Sequence, residues 1–237
     1  IVDINFGCPV KKVVSKGAGA GVLKDVDLMV RLTKAVVNST HLPVTVKTRL
    51  GWDVDTINIE EVALRLQDAG IKALTIHART RSQMYKGEAD WEYISKIKQN
   101  PNIEIPIFGN GDIDSPEKAL EYRQKYACDG MMIGRAAIGY PWIFNEIKHF
   151  FETGEKLPEP TISDRLLAVK QHAEWSAEWK GERLGLIEMR QHYSNYFRGI
   201  PHFKEFKTKF LQVLSLEEFY QLLEETEVFY KNKIETL

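Results

Sequence analysis

The chain has 237 residues, of which 43% are hydrophobic and 27% charged, a composition typical of a globular protein. With 32 lysines and arginines against 33 acidic residues, the formal net charge of -1 neither requires nor excludes a polyanionic partner. No apolar run approaches the roughly 18 residues of a membrane span, and no signal peptide opens the chain. Two cysteines provide neither a disulfide framework nor metal-ligand spacing. We therefore expect a cytoplasmic protein with no metal site and no membrane partner.

Five short apolar segments are predicted to be β-strands, with helices between them. The strands are residues 1–4, 44–49, 73–77, 107–108 and 130–133. The helices are indicated by an N-cap at Asp25 or Asp27, by apolar periodicity over residues 59–69, by a start near Trp91, and by Ser115-Pro116. Strands that alternate with helices at intervals of roughly 25 to 40 residues are typical of a parallel sheet covered on both faces.

Strand signals stop beyond a proline-bounded stretch at residues 157–160. Helical patterns follow over residues 163–179, 184–198 and 203–214, and a last helix is predicted from an N-cap at Ser215 to about Ile234. We therefore predict an α/β domain over residues 1–157 and a small all-helical domain over residues 161–237.

Chemically active side chains follow the predicted strands, where a parallel α/β protein presents its catalytic groups. Cys8 lies in a Gly/Pro-bounded loop after the first strand, and Lys47 and His77 end the second and third. Cys8 is either a small buried residue in a turn or a functional thiol. A lysine at a strand end is commonly just solvated, but a lysine and a histidine on neighbouring strands favour a binding site.

The last two strand ends carry glycines beside polar residues. Asn110, Gly111 and Asp112 follow the fourth strand, and Gly134 and Arg135 follow the fifth. Loops at these positions of a (β/α) barrel often hold a phosphate, because glycine allows close backbone approach and arginine supplies fixed donors. The alternative is a pair of ordinary glycine turns.

A basic segment lies in the predicted helical domain. Residues 189–210 contain five lysines and arginines against one glutamate, a local charge of +4, interleaved with aromatic side chains. Basic residues beside aromatic ones can contact phosphates and stack on bases. A charged run on a helix is more commonly a solvated face.

Five motifs, taken together, resemble those of the tRNA-dihydrouridine synthases, in the order and spacing of that family. They are Asp3-Ile4-Asn5-Phe6-Gly7-Cys8-Pro9, Val46-Lys47-Thr48-Arg49, Ile76-His77-Ala78-Arg79-Thr80-Arg81, Gly109-Asn110-Gly111-Asp112 and Ile133-Gly134-Arg135-Ala136. The resemblance implies an FMN-bearing (β/α)8 barrel of the TIM type followed by a helical domain that helps to hold tRNA. It also implies reduction of the C5–C6 double bond of specific uridines with NAD(P)H, usually NADPH.

The resemblance assigns roles to individual residues. Cys8 would protonate C5 of the uracil, which suits a thiol because thiols in water are mostly protonated at neutral pH. Lys47 would lie against the flavin ring and His77 would contact the flavin or substrate. The ribityl phosphate would be held by Asn110, Gly111, Asp112, Gly134 and Arg135. RNA contacts would come from Arg79, Arg190, His192, Arg198 and Lys204.

The chain departs from the family pattern at its start. Family members carry about three further βα units before the cysteine motif, and five strands do not close an eight-stranded barrel. We therefore expect a fragment of a longer protein or a truncated product. Two other interpretations stay open: another FMN barrel oxidoreductase acting on a small molecule, such as a dihydroorotate dehydrogenase-like enzyme, and an inactive fragment that retains RNA binding. No motif specifies the uridine that is reduced or the oligomeric state.

Overall fold

The computed structural model describes residues 1–234, which divide into two compact units that meet in the chain between Gly134 and Arg135. The domain boundary predicted at residues 157–161 falls inside the second unit and stays a prediction. Residues 235–237, the end of the predicted helical domain, lie outside the described residues.

The first unit is built on a parallel β-sheet of five strands, which confirms the predicted α/β class. The strands are β1 (Val2–Asn5), β2 (Val44–Arg49), β3 (Ala73–His77), β4 (Ile107–Asn110) and β5 (Gly130–Met132). They lie side by side in sequence order, β1-β2-β3-β4-β5, and every neighbouring pair is parallel. All five carboxyl ends therefore lie along one edge of the sheet.

Helices connect these strands as the sequence predicts. They are α1 (Lys11–Val14), α2 (Val26–Ser39), α3 (Ile59–Asp68), α4 (Glu92–Gln99) and α5 (Pro116–Tyr126). Asp25 caps α2 by accepting a hydrogen bond from the Leu28 N–H at 2.8 Å, and Ser115 caps α5 through the Lys118 N–H at 3.2 Å. Two short 3-10 turns, Gly19–Lys24 and Val54–Thr56, complete the connections.

The core of the first unit lies on the central strands. Val44, Val46, Leu74, Ile76 and Ile107 of β2, β3 and β4 are at most 2% exposed, which is expected of a parallel sheet with helices against its faces. The helices contribute Met29, Val62, Leu66 and Ile94 to the same core. This packing fixes the sheet and therefore the position of the loops at its carboxyl edge.

The second unit is helical, as predicted. Its α-helices are α6 (Ile143–Thr153), α7 (Ile162–Lys180), α8 (Glu182–Tyr196), α9 (Phe203–Phe210) and α10 (Leu216–Ile234). Thr161 and Asp164 form a capping box at the start of α7. None of the helices between residues 1 and 234 is long and apolar enough to cross a membrane.

Aromatic side chains dominate the core of the second unit. Phe197 and Phe203 stack with ring centroids 4.0 Å apart, and Tyr193 lies 5.0 Å from Phe210. Such pairs contribute beyond their buried area, because offset and edge-to-face rings attract each other. The basic segment of residues 189–210 therefore provides much of this core through its aromatic residues.

Candidate active site

The carboxyl edge of the sheet aligns the predicted site residues of the first unit. Asn5 is the register partner of Lys47, Arg49 is the partner of His77, and His77 is the partner of Asn110. Lys47 itself pairs with Thr75, so the register gives two lines at this edge: Asn5 with Lys47 and, two residues further along β2, Arg49 with His77 and Asn110.

Cys8 lies in the loop after β1, and hydrogen bonds within the chain fix the backbone of this loop. The Asn5 Oδ1 accepts hydrogen bonds from the N–H groups of Gly7 at 2.9 Å and Cys8 at 3.1 Å. The Cys8 carbonyl accepts from the Ala20 N–H at 3.0 Å, and a methyl group on Gly19 would lie 2.8 Å from that carbonyl. The thiol is free and half-buried. The loop thus presents Cys8 on a fixed backbone at the sheet edge.

Lys47 and His77 occupy a region that disfavours additional positive charge. Burial, with the neighbouring Arg49 cation, lowers the pKa of Lys47 to about 8. Burial lowers the pKa of His77 to about 3, and the cations Arg49, Lys47 and Arg79 act in the same direction. His77 is therefore neutral at physiological pH, while most of the Lys47 population keeps its charge.

The His77 ring carries a buried hydrogen-bonding atom that the protein leaves unused. Its Nε2 finds no hydrogen-bond partner within the described chain. A methyl group on Gly111, which has φ +131°, would lie 3.4 Å from the ring and 2.7 Å from the Ala89 side chain. The backbone thus passes close to the imidazole where only glycine fits. The buried His77 Nε2, without a partner in the described chain and next to a glycine backbone, fits a polar ligand.

Asn110 and Asp112 are engaged by their own unit. The Asn110 Nδ2 donates to the Met132 carbonyl at 2.7 Å and so links β4 to β5. The Asp112 Oδ2 accepts from the Arg79 guanidinium at 2.6 Å and from the Ala89 N–H at 2.8 Å. The Asp112 carboxylate has the same sign of charge as a phosphate, and the structure pairs it with Arg79.

Arg79 is only 2% exposed. Besides the ion pair with Asp112, its guanidinium donates to the carbonyls of Lys86 at 3.3 Å and Gly87 at 2.6 Å. A cation that contacts an RNA phosphate must be accessible. Arg79 is buried and instead holds the loop that follows β3 through hydrogen bonds.

Gly134 and Arg135 belong to different units. Gly134 ends the first unit, and a methyl group added to it would meet no atom within 4 Å. Arg135 is exposed and begins the second unit in a short 3-10 turn, Arg135–Ala137. The phosphate role predicted for this pair stays a prediction.

The predicted RNA-contacting residues of the second unit lie on or beside α8 and α9. Arg198 and Lys204 are exposed, and Arg190 and His192 are half-buried. The His192 and His172 rings lie 4.8 Å apart. They line a cavity of about 260 Å³ between α7 and α8, whose other lining residues include Trp175, Trp179, Lys180 and Glu188.

The aromatic residues expected to stack on bases are in the core, so that expectation is wrong for them. Tyr193, Phe197 and Phe203 are at most 6% exposed. The physical reason is their spacing, which places them on the packed faces of α8 and α9 while the basic residues remain outside. Trp175 and Trp179, at 62% and 80% exposure, are the aromatic side chains that α7 offers to solvent.

Sequence reasoning assigned no role to two further residues of the site. Arg49 is 2% exposed and donates from Nε to the Gly7 carbonyl at 2.8 Å. Tyr85 is 53% exposed, with its ring centroid 6.2 Å from that of His77. Arg49 had a detectable signal, since residues 47 and 49 face the same side of a strand and both are charged.

Comparison with known proteins identifies the family. The family described as Dihydrouridine synthase (Dus) matches residues 1–234. The chain belongs to this family. Its parallel sheet with alternating helices is consistent with five βα units of the TIM barrel on which dihydrouridine synthases are built. The family match supports the synthase interpretation of the sequence and not the small-molecule alternative.

Several relatives of this dihydrouridine synthase chain carry related names. A probable tRNA-dihydrouridine synthase 1 of Synechocystis sp. is 43% identical over 224 residues, which cover 94% of this chain and 62% of that protein. The tRNA-dihydrouridine synthase B of Pseudomonas aeruginosa is 44% identical over 210 residues, covering 89% and 63%. The corresponding protein of Vibrio vulnificus is 42% identical over 227 residues, covering 93% and 70%. The chain therefore spans less than two thirds of the first two relatives.

A solved structure of a mandelate oxidase mutant with (S)-mandelic acid covers 70% of this chain and 67% of its own, with a TM-score of 0.37 and 14% sequence identity. That similarity is too weak to support an argument. Among residues 1–234, no group of three or more histidine, cysteine, aspartate or glutamate side chains could hold a metal ion.

Proposed function

We propose that this chain acts as an FMN-dependent tRNA-dihydrouridine synthase that reduces the C5–C6 double bond of uridines in tRNA, with NADPH as reductant, in the cytoplasm. The observation that carries the proposal is that Lys47, His77 and Asn110, with the Cys8 loop after β1, all lie at one edge of the sheet. A thiol, an ammonium and a neutral imidazole at one edge provide a proton donor, a cation and a hydrogen-bonding ring.

The residues at the sheet edge fit a flavin. His77 offers a buried Nε2 without a partner in the described chain, which a polar atom of the flavin ring would pair. Lys47 is half-buried and mostly charged at neutral pH, and a cation beside the ring stabilises the anionic reduced form. In the first unit, Asn110, Gly111 and Gly134 are proposed to hold the phosphate, with Asp112 shaping the loop through Arg79. When bound, reduced FMN supplies the hydride that reaches C6 of the uracil.

Cys8 is proposed to give its proton to C5 of the uracil. Its loop is fixed by two hydrogen bonds to Asn5 and one from Ala20, so the thiol is positioned before the substrate arrives. A positioned acid contributes about 10²–10⁴-fold to a rate.

The second unit is proposed to grip the tRNA. A uracil in folded tRNA is stacked and must be extruded before a flavin reaches it, which requires a hold on the RNA backbone. The exposed cations Arg198 and Lys204, with Arg190 and His192 on α8, are proposed to contact phosphates. Trp175 and Trp179 beside His192 add aromatic faces for unpaired bases.

The test combines flavin binding with tRNA reduction. The full chain is titrated with FMN while flavin fluorescence is followed, and dihydrouridine formation is then measured with a tRNA transcript and NADPH. The Cys8→Ala chain is expected to bind FMN as the unsubstituted chain does and to reduce uridine about 10²–10⁴-fold more slowly.

Cys128→Ala is the matched control, because Cys128 is a buried free thiol in the core. It is expected to leave the rate unchanged. Absence of flavin binding both by residues 1–237 and by a version extended at the amino end, or full activity of Cys8→Ala, would contradict the proposal.

A further inference from the structure

A buried guanidinium joins two loops that lie far apart in the sequence. Arg49 at the end of β2 donates from Nε to the Gly7 carbonyl at 2.8 Å, in the loop of Cys8. From Nη1 it donates to the carbonyls of Thr80 at 3.0 Å and Met84 at 2.9 Å, in the loop that follows β3. The same side chain is therefore hydrogen-bonded to both loops.

The second of these loops carries an exposed aromatic residue. Tyr85 is 53% exposed, and its ring centroid lies 5.7 Å from the Arg49 Cζ. Its ring also lies 6.2 Å from that of His77. A cation at this distance from a tyrosine ring attracts it electrostatically. Arg49 thus hydrogen-bonds to the backbone next to Tyr85 and also lies over the Tyr85 ring.

We propose that Arg49 is a positioning residue that anchors both the Cys8 loop (residues 5–10) and the Tyr85 loop (residues 79–90). The inference rests on the proposed function only for the role of Cys8. The shared anchor itself rests on the three carbonyl contacts of one buried side chain.

The geometry of the contacts explains why an arginine is needed. Nε and Nη1 point to different carbonyls, and the planar fork keeps both directions fixed. A lysine at this position keeps the positive charge but has one ammonium group on a flexible stem. Arg49→Lys therefore separates the effect of position from the effect of charge.

Arg79 provides the matched control. It is also 2% exposed, and it fastens the Tyr85 loop through the carbonyls of Lys86 and Gly87 and through Asp112. Its hydrogen bonds reach the Tyr85 loop and Asp112 rather than the Cys8 loop. Arg79→Lys is therefore expected to loosen one loop, whereas Arg49→Lys loosens both.

The experiment measures alkylation of Cys8 by iodoacetamide in the full chain, with mass spectrometry to separate Cys8 from the buried Cys128. Hydrogen exchange of residues 5–20 and 79–90 is followed in the same samples. For Arg49→Lys we expect Cys8 to react about tenfold faster, since hydrogen bonds from a charged donor are lost, and both segments to exchange faster. For Arg79→Lys we expect faster exchange in residues 79–90 alone. Neither measurement needs flavin or RNA, so a failure here is distinguishable from a failure of the proposed enzyme activity.

Two results would overturn the shared anchor. One is a folded Arg49→Lys chain, as judged by circular dichroism, whose Cys8 reacts at the original rate. The other is an Arg79→Lys chain whose Cys8 accelerates as much as in Arg49→Lys. If Arg49→Lys does not fold, Arg49→Gln is measured in its place against the same two results.

Discussion

Gly109 in β4 is a position where one added methyl group should destabilise the first unit. A Cβ at this residue would lie 2.0 Å from Cζ3 and 2.4 Å from Cη2 of Trp91. Trp91 cannot retreat easily, because it is 1% exposed and packs against Tyr122 with ring centroids 4.7 Å apart. Its Nε1 also donates to the Gly111 carbonyl at 3.0 Å, so moving the indole breaks a buried hydrogen bond.

The cost of Gly109→Ala follows from these contacts. Overpacking a filled core costs about 1–3 kcal/mol, and breaking the indole hydrogen bond adds about 1 kcal/mol. Alanine would otherwise be favoured over glycine within a strand, by roughly 0.5–1 kcal/mol. We therefore expect a net loss of about 1–3.5 kcal/mol. For a chain of this size each kcal/mol lowers Tm by about 2–4 °C, so the expected shift is on the order of 2–14 °C.

Thermal unfolding followed by far-UV circular dichroism measures this shift. Gly134→Ala is the matched control, because its methyl group meets no atom within 4 Å and should change Tm by less than about 2 °C. Adding Trp91→Phe to Gly109→Ala should make the combined loss smaller than the sum of the two single losses, since a smaller ring makes room. A Gly109→Ala chain that melts within about 2 °C of the original would show that the Trp91 ring yields to the added methyl group.

Three further predictions concern charge. Burial lowers the pKa of His77 to about 3, so below pH about 6.5 the unfolded chain binds more protons than the folded one. Stability should therefore fall as the pH drops from about 6.5 towards 3, and His77→Gln should flatten that dependence in urea unfolding. Burial lowers the pKa of Lys47 to about 8, so flavin affinity should decline as the pH rises through that value, whereas Lys47→Met should bind weakly at every pH tested by fluorescence titration. Asp112→Asn leaves the Arg79 guanidinium buried without its carboxylate, at a cost of about 3–5 kcal/mol in thermal unfolding, and Asp114→Asn at an exposed position should cost little. An unchanged melting curve for Asp112→Asn would count against the structural role of the pair.

The strands were predictable because their residues repeat a simple physical pattern. Residues 44–49 and 73–77 are rich in β-branched side chains, with apolar residues at alternate positions near their starts, and β2 and β3 have these bounds in the structure. The helix at residues 143–153 was not predicted. Its start at Trp142 has no side-chain cap, so the usual start signal is missing from the sequence.

The candidate site could be predicted from the sequence only at residues whose chemical type and position at a strand end indicate a role. Cys8, Lys47 and His77 stand out at strand ends because the sheet is parallel. The importance of Arg49 depends on carbonyls 31 to 42 residues away, which no local pattern encodes. The burial of Tyr193 and Phe197 likewise depends on how α8 packs. A segment that mixes basic and aromatic residues does not show which face of the helix is buried.

The placement of the tryptophans gives the two units different optical reporters. Trp91 in the first unit is enclosed, so its indole emits at short wavelength until that unit unfolds. Trp175 and Trp179 in the second unit already face water, and their emission lies at long wavelength in the native chain. Trp52 in the first unit and Trp142 in the second are half-buried, so a red shift on denaturation reports on both units. Quenching by a soluble quencher in the native state reports mainly on α7, whose two indoles are the most exposed.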